Sequence, residues 1–181
     1  EESAGTGSDH IREKDGLWAV LFWLNILARD GRDIVQLRAD HWRSFGRNYY
    51  ARHDYEEILT QAANALMDAL RARLADLPGT HVAGLEISAA DDFAYHDPVD
   101  QSVTEGQGVR VAFTDGSRVV MRLSGTGTQG ATLRVYLERY VDPSGDHTLD
   151  VQEALAPVIQ AAESLAEITK HTGRTRPDVI T

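Results

Sequence analysis

The chain has 181 residues, room for one domain and part of another, and its 42% hydrophobic and 25% charged residues are ordinary for a soluble globular protein. A formal net charge of −10 argues against non-specific nucleic-acid binding and makes any phosphate site a local positive spot on an acidic body. Cysteine is absent, which excludes disulfides and thiolate metal sites and fits a reducing cytoplasm.

Residues 1–14 are polar and read as a loop with a frayed start, carrying Asp9, His10 and Arg12. Asp15 to Arg29 reads as a helix with Asp15 as its N-cap. Its apolar residues, among them Leu17, Trp18, Leu21, Phe22 and Leu24, cover nearly the whole circumference, so the expectation is exposed apolar surface and self-association unless something covers it. The run Leu17 to Leu24 is far short of the ~20 residues that span a bilayer, so no membrane partner is expected. Asp30-Gly31 breaks the helix, and a second runs from Asp33 to Phe45 and ends at Gly46; His41 and Trp42 read as packing residues there rather than ligands.

A domain boundary is placed at residues 47–54, dividing the chain into 1–47 and 48–181. Asp54 to Leu77 reads as one long amphipathic helix, with Tyr55, Ile58, Leu59, Leu66 and Leu70 on one face and Pro78-Gly79 ending it. Short strands follow: a first over Val82 to Ile87, another over Val109 to Phe113, and a tight turn at Asp115-Gly116. Asp91, Asp92 and Asp97 lack metal-loop spacing and read as solvated loop carboxylates. No two histidines stand at i, i+4, which argues against a zinc site. Leu149 to Thr172 is helical, with a break expected at Pro157 and Gly173 as C-cap. The fold class is α+β: an antiparallel sheet flanked by helices, preceded by a mainly helical partial domain.

The stretch with chemistry in it is Arg122 to Tyr136, RLSGTGTQGATLRVY. A strand over Ser117 to Leu123 precedes it, and from Thr132 onward apolar and polar residues alternate at period 2, as in a half-buried strand. Between them Gly125, Gly127 and Gly130 can turn backbone amides inward as an anion nest, and Ser124, Thr126 and Thr128 add hydroxyl donors. Arg122 and Arg134 add guanidinium forks suited to phosphate. GTGTQG also fits the dinucleotide fingerprint G-x-G-x-x-G, but that motif needs a following helix, and a strand pattern follows here. The plain alternative is a glycine-rich hairpin.

RLSGTGTQGATLRVYLERY closely resembles the phosphate-binding loop of the phosphoglucomutases, in the α-D-phosphohexomutase superfamily. EESAGTGSDHIREKDGLWAVLFWLNIL resembles that family's sugar-binding loop and following helix, HWRSFGRNYYARHDYEE the junction of its third and fourth domains, and GRTRPDVIT its C-terminus. The resemblance implies a C-terminal fragment, the end of domain 3 plus domain 4, of a four-domain enzyme roughly three times as long. The family's phosphoserine loop (T-A-S-H-N-P type) and Mg²⁺ loop (D-G-D-G-D-R) are not in the chain.

The implied reaction interconverts glucose 1-phosphate and glucose 6-phosphate through a phosphoserine and glucose 1,6-bisphosphate, with Mg²⁺. By match to the family, Glu1 and Ser3 would grip sugar hydroxyls, and Lys14 would serve as acid/base or charge stabiliser near the transferring phosphoryl group. Arg122, Ser124, Gly125, Thr126, Gly127, Thr128 and Arg134 would hold the non-reacting phosphate. Ala4 replaces an aromatic residue usual in the family. The fragment alone is expected to bind no cofactor and to be inactive, its partners being glucose phosphates and the missing domains 1–3. Two alternatives stand beside this: a non-catalytic anion-binding module, and a mutase acting on mannose or N-acetylglucosamine phosphates.

Overall fold

The computed structural model of the chain describes residues 7–10, 14–127 and 130–181. It forms two units, Glu1–Arg47 with Val141–His147, and Asn48–Tyr140 with Thr148–Thr181.

In the first unit, α1 spans Gly16–Asp30. The Asp15 carboxylate accepts the Trp18 amide at 2.9 Å and satisfies one of the orphan N–H groups of the first turn. At the other end Gly31 takes the left-handed conformation (φ 77°) and donates its N–H to the Leu27 carbonyl. No residue of α1 is buried. The second helix, α2, spans Ile34–Phe45 and is capped by Asp33 on the Gln36 amide. Trp42 on α2 lies between two guanidinium groups, Arg38 at 4.6 Å and Arg47 at 4.2 Å from its ring centroid, so its role is packing against cations. Arg47 also donates to the His147 carbonyl at 2.5 Å, which ties residues 141–147 to α2.

The second unit is built on a seven-stranded sheet. Its strands are β1 (Arg47–Ile58), β2 (His81–Val82), β3 (Leu85–His96), β4 (Val103–Phe113), β5 (Arg118–Gly127), β6 (Gly130–Val141) and β7 (Val179–Ile180). Their order across the sheet is β2-β3-β4-β5-β6-β1-β7. Helices α3 (Thr60–Arg71), α4 (Val151–Ala166) and α5 (Ile168–Thr172) complete the α+β unit. Val119, Met121, Leu133, Val135 and Leu137 are buried on one face of the β5–β6 hairpin, and Leu66, Leu70, Leu155 and Val158 from the helices join them in the core.

The sheet corrects four expectations. The single helix over Asp54 to Leu77 is instead the end of β1, helix α3 and a 3-10 turn at Leu74–Asp76. Tyr49, Ala51, His53 and Tyr55 are buried at period 2 along β1, and Asp54, far from capping a helix, is 3% exposed inside the strand. What holds β1 comes from the far end of the chain: Arg52 and Thr181 exchange backbone bonds of 2.8 and 3.0 Å, and the Asp178 amide donates to the Asp54 carbonyl.

The first strand, expected over Val82 to Ile87, is divided by a two-residue turn into the end of β2 and the start of β3, with Ala83 (φ 49°) and Gly84 (φ 81°) both left-handed as a tight hairpin requires. Asp91 and Asp92 are exposed, as expected, but they are strand residues with arginine partners rather than loop groups. Arg110 donates to Asp91 and Arg71 to Asp92 at 3.0 Å, and only Asp97 sits in a turn, accepting the Val99 amide. Finally, α4 passes through Pro157, and the helical stretch breaks at Glu167 (φ 46°) instead.

Candidate functional site

The sequence places an open loop between two strands. In the structure the strands continue almost to the tip. The β5–β6 ladder pairs Arg122 with Arg134, Leu123 with Leu133, Ser124 with Thr132 and Gly127 with Gly130. The reason is that alternation persists through Thr132 and Ala131, so backbone groups that a loop would leave open are paired instead. From Ser124 to Gly127 β5 takes three steps against two on β6, which is a one-residue bulge. Gly125 sits in it at φ 67°, a conformation that glycine adopts without a Cβ penalty. The bulge leaves a residue of β5 outside the ladder, so amide donors at Gly125 and Thr126 are where a nest can form, rather than along the whole stretch. Gly130 has a different task. A Cβ there would lie 3.1 Å from the Ile58 carbonyl oxygen, so its small size lets β6 start against the end of β1.

Pairs directly opposite one another share a face. Met121, Leu133 and Val135 are buried, which puts the Met121–Val135 and Leu123–Leu133 pairs on the core face, so Arg122 with Arg134 and Ser124 with Thr132 lie on the other face. Two guanidinium groups directly across a ladder repel. Neither has a carboxylate partner among the described residues, in contrast to Arg118, paired with Glu138 four residues further from the tip on the same face. Arg122 is exposed, whereas Arg134 is half-buried, and its Nε is buried with no hydrogen-bond partner. A buried charged donor left unpaired costs several kcal/mol in an apolar site, and about 1–3 kcal/mol even where partly compensated. A dianionic group on this face would both relieve the repulsion and satisfy that donor.

Gly108 on β4 supports the pair from the side. A Cβ at Gly108 would meet the Met121 carbonyl oxygen at 2.9 Å and the Arg122 Cβ at 3.3 Å. Sequence reasoning did not single out Gly108 or Thr132. Thr132 carried a signal, since it stands opposite Ser124 if the strands pair with Arg122 facing Arg134. Gly108 carried none, because its neighbour on β5 is not a local matter.

Of the other expected site residues, Lys14 belongs to the first unit, exposed and one position before the cap of α1. Beside it His10 Nε2 donates to Asp15 at 3.1 Å, and the Trp18 amide and His10 hold the Asp15 carboxyl below its ordinary range. Glu1, Ser3 and Thr128 lie outside the described residues. The structure therefore brings Arg122, Ser124, Gly125 and Arg134 together with the backbone of Thr126 and Gly127, all within the second unit. Among the described residues no group of three or more His, Asp or Glu is placed to hold a metal ion, and Asp91 and Asp92 are committed to arginines. No helix among them is long and apolar enough to cross a membrane.

Residues 47–178 match the family described as "Phosphoglucomutase-1, C-terminal domain", and residues 1–45 match "Phosphoglucomutase/phosphomannomutase, alpha/beta/alpha domain III". The chain belongs to the phosphoglucomutase family. A phosphoglucomutase of Rhizobium radiobacter is 57% identical over all 181 residues, which make up 33% of that relative. Phosphoglucomutase-1 of Oryctolagus cuniculus is 48% identical over 190 aligned residues, covering the whole chain and 33% of the relative. The chain thus spans about a third of the length of the curated phosphoglucomutases it matches. A crystal structure of the phosphoglucomutase parafusin from Paramecium, in an open form, superposes with a TM-score of 0.86 at 43% identity, covering 98% of this chain and 31% of that one.

Proposed function

We propose that the chain is the phosphate-holding part of a phosphoglucomutase that interconverts glucose 1-phosphate and glucose 6-phosphate. The observation that carries this is the Arg122–Arg134 pair beside the Gly125 bulge, two arginines opposite each other in the ladder with the Arg134 Nε unsatisfied. A phosphate dianion fits such a pair because each guanidinium offers parallel N–H donors at the spacing of two oxygens. The Ser124 hydroxyl and the bulge amides supply further donors without reading the sugar. That indifference suits a reaction in which glucose 1,6-bisphosphate must present either phosphate.

In this reading the hairpin holds the phosphate that does not react. Its binding energy fixes the sugar so that the other end lies in line for phosphoryl transfer to and from a phosphoserine. Glu1 and Ser3 would read the sugar hydroxyls, and Lys14 would offset charge or move a proton at the reacting oxygen. The phosphoserine loop and the Mg²⁺ loop would belong to the longer protein of which the chain covers a third; Mg²⁺ bound there would neutralise charge on the transferring group. Closing the phosphate domain over the cleft would keep water from the phosphoserine.

The test is Arg134→Ala in the longer enzyme. Losing one charge-assisted fork in a half-buried site should lower kcat/KM by about 10²-fold, which corresponds to about 2.7 kcal/mol. In the 181-residue chain the same variant should abolish the amide shifts around Gly125 and Thr132 that inorganic phosphate produces in the parent chain, and neither chain should turn over substrate. Unchanged kcat/KM in Arg134→Ala, or turnover by the chain alone, would refute the reading.

A further inference from the structure

Arg134 Nε on β6 is not alone in being buried without a hydrogen-bond partner; Asp54 Oδ1 on β1 is another such atom. The two strands are neighbours in the sheet. Buried polar atoms left this way are uncommon, so a donor and an acceptor on adjoining strands call for one explanation. Two contacts fix how the strands lie against each other. The Tyr50 hydroxyl donates to the Glu138 carboxylate. A Cβ at Gly130 would meet the Ile58 carbonyl oxygen at 3.1 Å. β1 therefore runs from Tyr50 to Ile58 while β6 runs back from Glu138 to Gly130, which is antiparallel. Asp54 stands four residues after Tyr50, and Arg134 four residues before Glu138, so the two are opposite each other. Glu138 shares the face of Arg118 and Arg122, so Asp54 lies on the arginine face and not on the face of Tyr49, Ala51, His53 and Tyr55.

A row of charge thus crosses three strands: Arg122 on β5, Arg134 on β6 and Asp54 on β1. Arg134 has a like charge on one side and an opposite charge on the other. Repulsion from Arg122 and attraction to Asp54 act in the same direction, drawing the Arg134 guanidinium toward β1 and opening room for an anion beside Arg122. Residues opposite each other on antiparallel strands have Cβ atoms about 4.5–5.5 Å apart, near enough for that attraction to matter in a half-buried place. Asp54 acts by charge and takes none of the Nε donor, which stays available to a ligand. Asp54 is itself firmly held. Arg52 Nε lies 2.9 Å from its Oδ1 and offsets the cost of burying a carboxylate that is 3% exposed. Its carbonyl accepts the Asp178 amide at 2.8 Å, so the approach to β7 braces the segment that carries it.

We infer that Asp54 is a positioning residue for the phosphate site: from across the β1–β6 ladder its carboxylate fixes the side on which the Arg134 guanidinium lies and leaves the donors of that fork to the phosphate. The inference rests on the reading of the hairpin as the phosphate holder. Asp54 touches neither phosphate nor sugar in it. Two other roles make different predictions. A carboxylate that acted on the phosphate directly would repel it, so its removal would tighten binding. A carboxylate that served the fold alone would leave the affinity of the folded protein unchanged. Positioning alone predicts that a folded variant without the charge binds phosphate more weakly.

The test is Asp54→Asn in the 181-residue chain, which keeps the shape of the side chain and removes its charge. The first readout needs no ligand. The Arg134 Nε–H resonance, identified by its loss in Arg134→Lys, should stand apart from those of solvated arginines in the parent, and in Asp54→Asn it should move toward them and exchange faster with water. The second is an inorganic phosphate titration followed at the amides around Gly125 and Thr132. Its Kd should rise about fivefold in Asp54→Asn, and the same change in an Arg134→Lys background should alter it by less than about twofold, because a residue that acts through Arg134 is coupled to it. Arg52→Gln with Asp54→Asn removes both buried charges and leaves no ion uncompensated. It should melt cooperatively and show the same loss of affinity, and it carries the test if Asp54→Asn alone does not fold. An Nε–H resonance identical in parent and variant overturns the inference, as does a phosphate affinity equal to or tighter than the parent's in the folded variants. If the parent shows no phosphate-dependent shift, the phosphate reading falls, and the Nε–H comparison still decides whether Asp54 holds Arg134.

Discussion

Gly108 shows how a single residue with no chemistry of its own can set the geometry of the arginine pair. Its φ of 151° lies in a region that side-chain-bearing residues rarely adopt, and the space a methyl would need is occupied by the Met121 carbonyl oxygen at 2.9 Å. Val109 pairs with Met121 on the adjoining rung, so relief must come from moving β4 away from β5 beside Arg122. Gly108→Ala should therefore destabilise the unit by about 1–3 kcal/mol, the range for overpacking, and weaken phosphate binding at the hairpin. Gly106→Ala is the control. It has φ 65° with nothing within 4 Å, so only backbone strain of about 1 kcal/mol applies, and phosphate binding should not change. Denaturant unfolding with a phosphate titration of both variants separates the effects. Equal behaviour of the two would show that β4 does not position Arg122. The arginines themselves were legible in RLSGTGTQGATLRVY, because guanidinium and glycine types carry their chemistry with them. That they face each other was not, since facing depends on a register that the Gly125 bulge resets.

At the scale of elements, the parts that were legible are those whose boundaries are set locally. Asp15, Asp33, Gly31, Gly46 and Gly173 all cap helices at the positions their residue types suggest. β1 was not legible, because its hydrogen bonds run to residues 178–181 and its Asp54-Tyr55 segment also fits a helical apolar face. Long-range pairing overrode that local pattern. Pro157 misled in the other direction. A proline removes one helical bond and strains the preceding turn, but α4 is buried along Ala154, Leu155, Val158, Ala161, Ala162 and Leu165, and that packing outweighs the local cost. The break falls instead at Glu167, where a left-handed residue (φ 46°, ψ 45°) lets α5 turn back. Glutamate in this conformation carries about 1–2 kcal/mol of strain that glycine avoids. Glu167→Gly also gives up an exposed ion pair with Lys170, worth little, and some unfolded-state entropy. The net expectation is a gain of roughly 0.5 kcal/mol, read as a rise in Tm. A fall in Tm would mean that the left-handed residue is not under strain.

For the molecule as a whole, the first unit poses the physical problem that the sheet solves for the second. The seven-stranded sheet buries its apolar residues under α3, α4 and α5, while α1 buries none. Leu17 is 80% exposed, Leu21 60% and Leu24 55%, with Phe22 and Trp23 near half. Stacking of Trp18 on Phe22 at 5.0 Å hides only part of this surface. Contiguous apolar area of this kind on a soluble chain drives association at about 25 cal/mol per Å² removed from water. The 181-residue chain should accordingly elute at a concentration-dependent volume and bind an apolar dye. Leu17→Glu with Leu21→Glu, one turn apart on α1, should restore a concentration-independent monomer and abolish dye binding. Both positions are exposed, so the double variant should leave the melt of the sheet unit unchanged, and its phosphate titration should match the parent. Because the arginine hairpin lies in the other unit, a loss of phosphate binding on removing the apolar surface would show that the two units depend on each other for more than solubility. A dye-silent parent that stays monomeric at every concentration, with Trp23 emission already that of a solvated indole, would show that the surface of α1 is not adhesive.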